Sequence, residues 1–143
     1  MGNEVNLGFL LDGAHDAART ARLLNYGHTA VRKAAADNGV KIISALHIAN
    51  PSKIGAVDTY KVNGCTNYDV VALSWYPGSQ IGHTMGSYRN FEAMGKDVIE
   101  KYGKRIMILE TAHSFTTGTV NGEWMGDWCD NSYNYPDWNE ATN

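Results

Sequence analysis

The segment Arg105-Ile106-Met107-Ile108-Leu109-Glu110-Thr111 decides the fold that this sequence of 143 residues predicts. Its apolar run predicts a buried β-strand, and Glu110 closes that strand. A carboxylate at the end of a buried strand must be desolvated or paired, so packing alone explains it poorly. At the carboxyl end of a parallel barrel strand, the same carboxylate would reach the place where such folds carry out chemistry.

Two further apolar runs and two helical patterns precede this segment. Val40 to Ile48 predicts a strand buried on both faces, and Asp69 to Trp75 predicts another. Apolar residues at three- to four-residue spacings predict helices from about His15 to Asp37 and from about Thr84 to Tyr102. Strands and helices therefore alternate, and this order predicts a parallel sheet.

The connections between these elements are marked by glycine, asparagine and proline. Gly27 interrupts the first helical pattern and could divide it in two, while Asn38-Gly39 ends it. Pro51 to Gly64 predicts a loop that could include one short helix. The tail at 112–143 loses the alternation and predicts a long active-site loop rather than a further strand and helix.

Composition limits the possible classes of function. A chain that is 43% hydrophobic and 19% charged suits a single globular unit. Its net charge of −3 argues against nucleic acid as a partner, because nucleic-acid binding calls for a basic surface. No apolar run approaches the ~20 residues that a membrane span requires, so no membrane partner is expected.

Metal and disulfide signals in the sequence are weak. Cys65 and Cys129 fit no metal-ligand spacing, and whether they pair in an oxidising compartment is left open. No cofactor is expected. Calcium is the one candidate metal, and no loop has the EF-hand spacing. The carboxylates that could ligate it are Asp12, Asp127 and Asp130.

A second acidic residue, Glu4, lies in Gly2-Asn3-Glu4-Val5. It precedes Glu110 by 106 positions, which corresponds to three strand-plus-helix units of roughly 30 to 35 residues each. The two carboxylates would then end the first and last of four barrel strands. Because a barrel strand needs ~5 residues before its catalytic end, we expect the chain to begin within a domain.

Five motifs in this order resemble those of glycoside hydrolase family 53, the arabinogalactan endo-β-1,4-galactanases, over about residues 2 to 115. The family belongs to the large clan of retaining barrel glycosidases. The resemblance implies the C-terminal half of a (β/α)₈ TIM barrel, from the end of strand four to strand seven, with 1–143 as one partial domain. The motifs are Gly2-Asn3-Glu4-Val5, Leu46-His47-Ile48, Leu73-Ser74-Trp75-Tyr76-Pro77, Tyr102-Gly103-Lys104 and Ile108-Leu109-Glu110-Thr111-Ala112.

The same resemblance implies the catalytic roles. Glu4 corresponds to the acid/base and Glu110 to the nucleophile of a retaining hydrolase acting on β-1,4-galactosidic linkages of plant (arabino)galactan. Such an enzyme uses one carboxyl group to protonate the leaving oxygen and the other to attack the anomeric carbon. The alternative for Glu110 is an ion pair with Lys104 or Arg105.

Five residues around the two carboxylates are candidate substrate-binding residues. Asn3 could hydrogen-bond a sugar 2-hydroxyl, and His47 could either orient Glu4 or contact sugar. Tyr76 could hold Glu110 through its hydroxyl group. Trp75 and Trp124 offer flat faces for pyranose rings, although Trp75 fits the core equally well.

Two departures from the family pattern leave the glycan specificity open. Phe9 to Gly13 stands where the family usually has Leu-Trp-Pro, and Gly78-Ser79-Gln80 stands where it commonly has Phe-Trp-His. One alternative is therefore another retaining β-glycanase of the same clan. Another is a truncated product that at most binds sugar weakly, because four of eight strands would leave open parallel edges and an uncovered barrel interior. The resemblance also implies a secreted or periplasmic protein, because polysaccharide is degraded outside the cytoplasm.

Overall fold

The computed structural model describes residues 2–8, 16–75 and 91–111, together with the backbone of 119–120 and 123–124. The main elements alternate between helix and strand, and a two-stranded antiparallel ladder follows them. They are α1 (Ala17–Asp37), β1 (Ala45–Ile48), α2 (Ala56–Val62), β2 (Val70–Ser74), α3 (Phe91–Tyr102), β3 (Arg105–Glu110), β4 (Thr119–Val120) and β5 (Glu123–Trp124). Short 3₁₀ helices cover Val5–Leu7 and Pro51–Lys53.

The sheet has the order β1-β2-β3, and both pairings are parallel. Ala45 pairs with Val70, and Val70 pairs with Arg105, so the three strands begin level with one another. A helix lies in sequence between each strand and the next. The predicted alternation and the parallel sheet are thus confirmed.

Helix α1 is continuous, and the prediction that Gly27 divides it was wrong. One interior glycine costs a helix only about 1 kcal/mol, and Leu24 and His28 are buried on either side of it. The Asp16 carboxylate starts the helix by accepting the backbone N–H groups of Ala18 and Arg19 at 2.9 and 3.0 Å. The predicted stop at Asn38 is confirmed.

Strand β1 is shorter than predicted, because residues 40–44 are not in a strand. Val40, Ile42 and Ile43 are about half exposed, at 53%, 46% and 49%. The neighbouring strand β2 begins only opposite Ala45, and just before it the Asp69 carboxylate accepts the Ser44 backbone N–H at 2.9 Å. Residues 40–44 therefore precede the part of the chain that pairs with β2. Their apolar character predicted burial but could not show whether a neighbouring strand would be present.

The hydrophobic core lies between one face of the sheet and the helices. Strands β1 and β2 contribute Leu46, Ile48, Val71 and Leu73 to it, each at most 1% exposed. The remaining members come from the 3₁₀ helix at Val5, the helices and the α2–β2 connection; they include Leu24, Val57, Tyr60, Tyr68, Met94 and Val98. His47 and Ser74 lie on the opposite face of the sheet, where both are buried.

Several predictions fall partly or wholly outside the described residues. The second predicted helix is confirmed only over Phe91–Tyr102. Cys65 is a free, fully buried thiol, and burial raises its pKa to about 11. Cys129 lies outside the described residues.

In the part of the chain that the structure describes, no helix is long and apolar enough to cross a membrane.

Candidate active site

The carboxyl ends of the three parallel strands bring His47, Ser74 and Glu110 to the same edge of the sheet. His47 lies near the end of β1, Ser74 ends β2 and Glu110 ends β3. The carboxyl edge of a parallel α/β sheet is where such folds place their reacting groups. The described structure therefore has two polar side chains and one carboxylate at the expected place.

A β-bulge sets the position of Glu110 within this edge. Leu73 pairs with Ile108, but the next pair is Ser74 with Glu110, so Leu109 is an extra residue in β3. A regular ladder would instead pair Ser74 with Leu109 and leave Glu110 on the core face that Leu73 occupies. The bulge therefore places Glu110 beside Ser74, on the face opposite the core. The backbone N–H of Trp75 donates to the Glu110 carbonyl at 2.8 Å and closes the irregular pair.

His47 connects this edge to the Glu4 segment. Its Nε2 lies 3.0 Å from the Ser74 hydroxyl, and the backbone N–H of Glu4 donates to its Nδ1 over a long 3.4 Å. The side chain is buried, and burial lowers the pKa of the His47 imidazole. The negative charges of Glu4 and Glu110 act on the same pKa in the opposite direction. Both carboxylates thus lie within electrostatic range of a single imidazole.

The backbone around Glu4 is fixed at three consecutive residues. Besides the bond from Glu4 to His47, the Val5 carbonyl accepts the Tyr60 hydroxyl at 3.0 Å. The Asn6 side-chain oxygen accepts the backbone N–H of Ala49 at 2.8 Å. These contacts hold Glu4 in a left-handed conformation, with φ 42° and ψ 54°. For a residue other than glycine this conformation costs about 1–2 kcal/mol, so the surrounding contacts must stabilise it.

The predicted site residues divide into three groups. Glu4 bonds to His47 through its backbone, and the charges of Glu4 and Glu110 both act on the pKa of His47. Asn3 is exposed beside Glu4, and Trp75 is half-buried and stacks on Phe91 with ring centroids 5.3 Å apart. Packing therefore occupies one face of the Trp75 ring. Outside the described side chains lie Tyr76, Trp124 (whose backbone is in β5), Asp12, Asp127 and Asp130.

The alternative ion-pair partners of Glu110 are at the other end of its strand. Lys104 precedes β3 and donates to the backbone carbonyls of Tyr68 and Thr66 at 2.5 and 3.3 Å. Arg105, the first residue of β3, is five strand residues from Glu110, a distance of about 16 Å at ~3.3 Å per residue. Within the described residues, no group of three or more His, Cys, Asp or Glu side chains could hold a metal ion.

Sequence reasoning assigned no role to Ser74, Tyr60 or Asn6, all of which support the site. Ser74 had a detectable signal, because it is a polar residue at the end of an otherwise apolar strand. Tyr60 and Asn6 act through contacts 55 and 43 residues away along the chain. Such distant contacts leave no pattern in a single sequence.

The fold and the site define a class of protein: an α/β chain of parallel strands and alternating helices, with a carboxylate, Glu110, at the carboxyl edge of the sheet. The chain matches the model of glycosyl hydrolase family 53 over residues 1–140 and belongs to that family. The resemblance noted from the motifs is thereby confirmed. The three strands β1 to β3 are accordingly part of a (β/α)₈ TIM barrel.

Curated relatives support the same family. The chain is 33% identical over 126 residues to an endo-beta-1,4-galactanase of Bacillus subtilis, and the match covers 85% of this chain and 27% of the relative. It is 32% identical over 142 residues to an arabinogalactan endo-beta-1,4-galactanase of Cellvibrio japonicus, covering 86% of this chain and 35% of the relative. The chain thus spans about a quarter to a third of their length. No solved structure matches it.

Proposed function

We propose that this chain supplies both catalytic carboxylates of a retaining endo-β-1,4-galactanase, with Glu4 as the acid/base and Glu110 as the nucleophile. The observation that carries the proposal is the backbone bond from Glu4 to His47, because His47 lies at the same carboxyl edge of the sheet as Glu110. The Glu4 backbone bonds to that imidazole, and both carboxylate charges act on its pKa. The bulge in β3 supports the proposal further, because it turns Glu110 away from the core.

The proposed reaction has two steps. The Glu110 carboxylate attacks the anomeric carbon while the glycosidic C–O bond breaks and Glu4 gives its proton to the leaving oxygen. Water then attacks the anomeric carbon of the glycosyl-enzyme and gives a proton to Glu4. This attack breaks the bond between the sugar and Glu110 and releases the Glu110 carboxylate. This double displacement requires the two carboxyl groups to lie about 5 to 5.5 Å apart. Asn3, exposed beside Glu4, is the proposed donor to the 2-hydroxyl of the sugar.

The substrate and location are proposed from the named relatives. Two of them are endo-β-1,4-galactanases, and one is named for arabinogalactan. We therefore propose galactan or arabinogalactan as the substrate of the complete protein. An enzyme acting on such a polymer works where the polymer is found, so we propose a secreted or periplasmic location. Trp75, Tyr76 and Trp124 remain proposed sugar contacts.

The proposal is tested in the complete natural polypeptide that contains this chain, with galactan as substrate. Glu110→Gln and Glu4→Gln should each lower kcat by at least about 100-fold, because each loses a group required in the transition state. Glu100→Gln is a matched control, since Glu100 is an exposed carboxylate on α3. It should retain normal activity.

Two results would contradict this proposal. Undiminished hydrolysis in Glu110→Gln would exclude Glu110 as the nucleophile. NMR detection of the first product anomer gives an independent reading, because a retaining enzyme releases the β-anomer. Initial release of the α-anomer would overturn the double displacement even if both variants were inactive.

A further inference from the structure

A continuous path of hydrogen bonds links the Glu4 backbone to the strand next to Glu110. It runs from the Glu4 N–H to His47 Nδ1 at 3.4 Å, and from His47 Nε2 to the Ser74 hydroxyl at 3.0 Å. Ser74 is fully buried and is the pairing partner of Glu110 across the bulge. The imidazole of His47, on β1, thereby ties β2 to the Glu4 segment.

The direction of these bonds fixes the state of the imidazole. A backbone N–H can only donate, so Nδ1 of His47 must be an unprotonated acceptor. In the neutral ring the proton then lies on Nε2, which donates it to the Ser74 hydroxyl oxygen. A protonated ring would present N–H groups at both positions and lose the bond to Glu4. Burial of His47, which lowers its pKa, favours the required neutral form.

The Glu4 backbone has a particular need for this acceptor. Its left-handed φ of 42° is unfavourable for a residue with a side chain, and Val5 and Asn6 fix only the residues that follow it. The Glu4 N–H on the preceding side is held by His47. Loss of that bond would let the peptide rotate toward ordinary backbone conformations and move the Glu4 carboxyl group.

We propose that His47 and Ser74 form a positioning pair: the Ser74 hydroxyl holds the His47 ring in place by accepting from Nε2, and Nδ1 of His47 holds Glu4 in the conformation that aims its carboxyl group at the leaving oxygen. This inference rests on the proposed acid/base role of Glu4. It assigns His47 to positioning rather than to sugar binding, and it gives Ser74 a role.

Two replacements of His47 separate the two bonds. In His47→Asn the amide oxygen can take the place of Nδ1 and keep the acceptor for Glu4, whereas in His47→Gln the amide can reach Ser74 but not Glu4. We expect His47→Asn to retain activity on galactan within about fivefold, and His47→Gln to lose about 10- to 100-fold in kcat with little change in KM. Ser74→Ala should show a smaller loss of kcat. Ser44→Ala, which removes a buried serine hydroxyl just before β1, is the control for a purely structural effect.

A second substrate identifies which catalytic step is affected. An aryl β-galactoside with a 2,4-dinitrophenolate leaving group needs no proton from Glu4 in the first step. Its kcat/KM should fall less than about threefold in His47→Gln, whereas kcat/KM on galactan falls with kcat. Equal losses on both substrates, or equal activity of the Asn and Gln variants, would overturn the positioning role.

A measurement without turnover keeps the inference distinct from the proposed function. ¹⁵N NMR of the His47 ring should show an unprotonated Nδ1 and a protonated Nε2 in the unmodified protein. The opposite tautomer would overturn the inference whatever the activity. The expected tautomer together with absent galactan hydrolysis would instead overturn the proposed function, and with it the catalytic purpose of the pair.

Discussion

Replacement of His28 by phenylalanine should make the protein more resistant to acid. His28 is fully buried in α1, its ring lies 6.0 Å from that of Tyr68, and neither ring nitrogen has a hydrogen-bond partner within the described residues. Burial, aided by positive charges including Arg32 and Lys104 and opposed by Asp69, lowers the pKa of His28 from 6.5 to about 4. In unfolded chains the imidazole titrates near 6.5.

The sign and size of the effect follow from this difference. Between pH 6.5 and 4 the unfolded chain binds a proton at His28 that the folded protein does not, so the free energy of unfolding falls as the pH is lowered through this range. At 1.36 kcal/mol per pH unit, the interval between 6.5 and about 4 corresponds to about 3 kcal/mol of lost stability. Phenylalanine has a similar ring but cannot be protonated, so His28→Phe should not suffer this loss.

Urea unfolding of both proteins between pH 7.5 and 4 measures this directly. The free energy of unfolding of His28→Phe minus that of the unmodified protein should rise by about 3 kcal/mol as the pH falls. Val98→Ala is the control, because it disturbs the same core without a titrating group. Its difference from the unmodified protein should not change with pH. A difference for His28→Phe that is equally flat would refute the reasoning.

Three further predictions concern the support of the site and the sheet. Tyr60→Phe removes the hydroxyl group that donates a hydrogen bond to the Val5 carbonyl in the core. It should lower the free energy of unfolding in urea by about 1–2 kcal/mol. An unchanged urea midpoint would contradict the role of this bond. Gly95→Val should lower the free energy of unfolding, measured by thermal unfolding, by about 1–3 kcal/mol, because even a Cβ at Gly95 would lie 3.4 Å from Ile106. A variant that is more stable would show that α3 can move away from β3. Met107 is 43% exposed on β3, an edge strand of the described sheet, and a lysine on an edge strand opposes pairing with another chain. Met107→Lys should therefore raise the monomer fraction of the separately expressed 143-residue chain in sedimentation velocity. An unchanged distribution of sedimentation coefficients would argue against association through this edge.

The sequence was most informative where local pattern and fold agree. Strands β2 and β3 lie within one residue of their predicted limits, because each is a short apolar run next to a helix or turn signal. The predicted burial of β3 was wrong, because in the described sheet it has a neighbouring strand on one side only, and Met107 and Leu109 are 43% and 50% exposed. The first residues of the Val40–Ile48 run were predicted wrongly, since hydrophobicity reports the preference for burial but not the presence of a neighbouring strand. The division of α1 at Gly27 was predicted wrongly for a related reason. Burial of Leu24 and His28 on either side of Gly27 outweighed its low helix propensity.

The candidate site shows the same division. Glu4 and Glu110 were predicted as the catalytic carboxylates because packing explains a carboxylate at the end of an apolar run poorly and because the surrounding motifs match a family pattern. The bulge at Leu109 was not predicted, because it depends on the register between β2 and β3. The bond from His47 to the Glu4 backbone was likewise not predictable in detail, since it joins positions 43 residues apart and requires a left-handed residue.

Covalent trapping of the nucleophile tests the central claim most directly. The complete natural polypeptide is incubated with a 2-deoxy-2-fluoro-β-galactoside that carries a 2,4-dinitrophenolate leaving group, and the labelled peptide is identified by mass spectrometry. The fluorine slows both steps, while the good leaving group allows the glycosyl-enzyme to form and accumulate. We predict that the fluorosugar is attached to the carboxylate of Glu110. A label on any other residue would contradict the assignment, and so would an active enzyme that hydrolyses galactan but is never labelled.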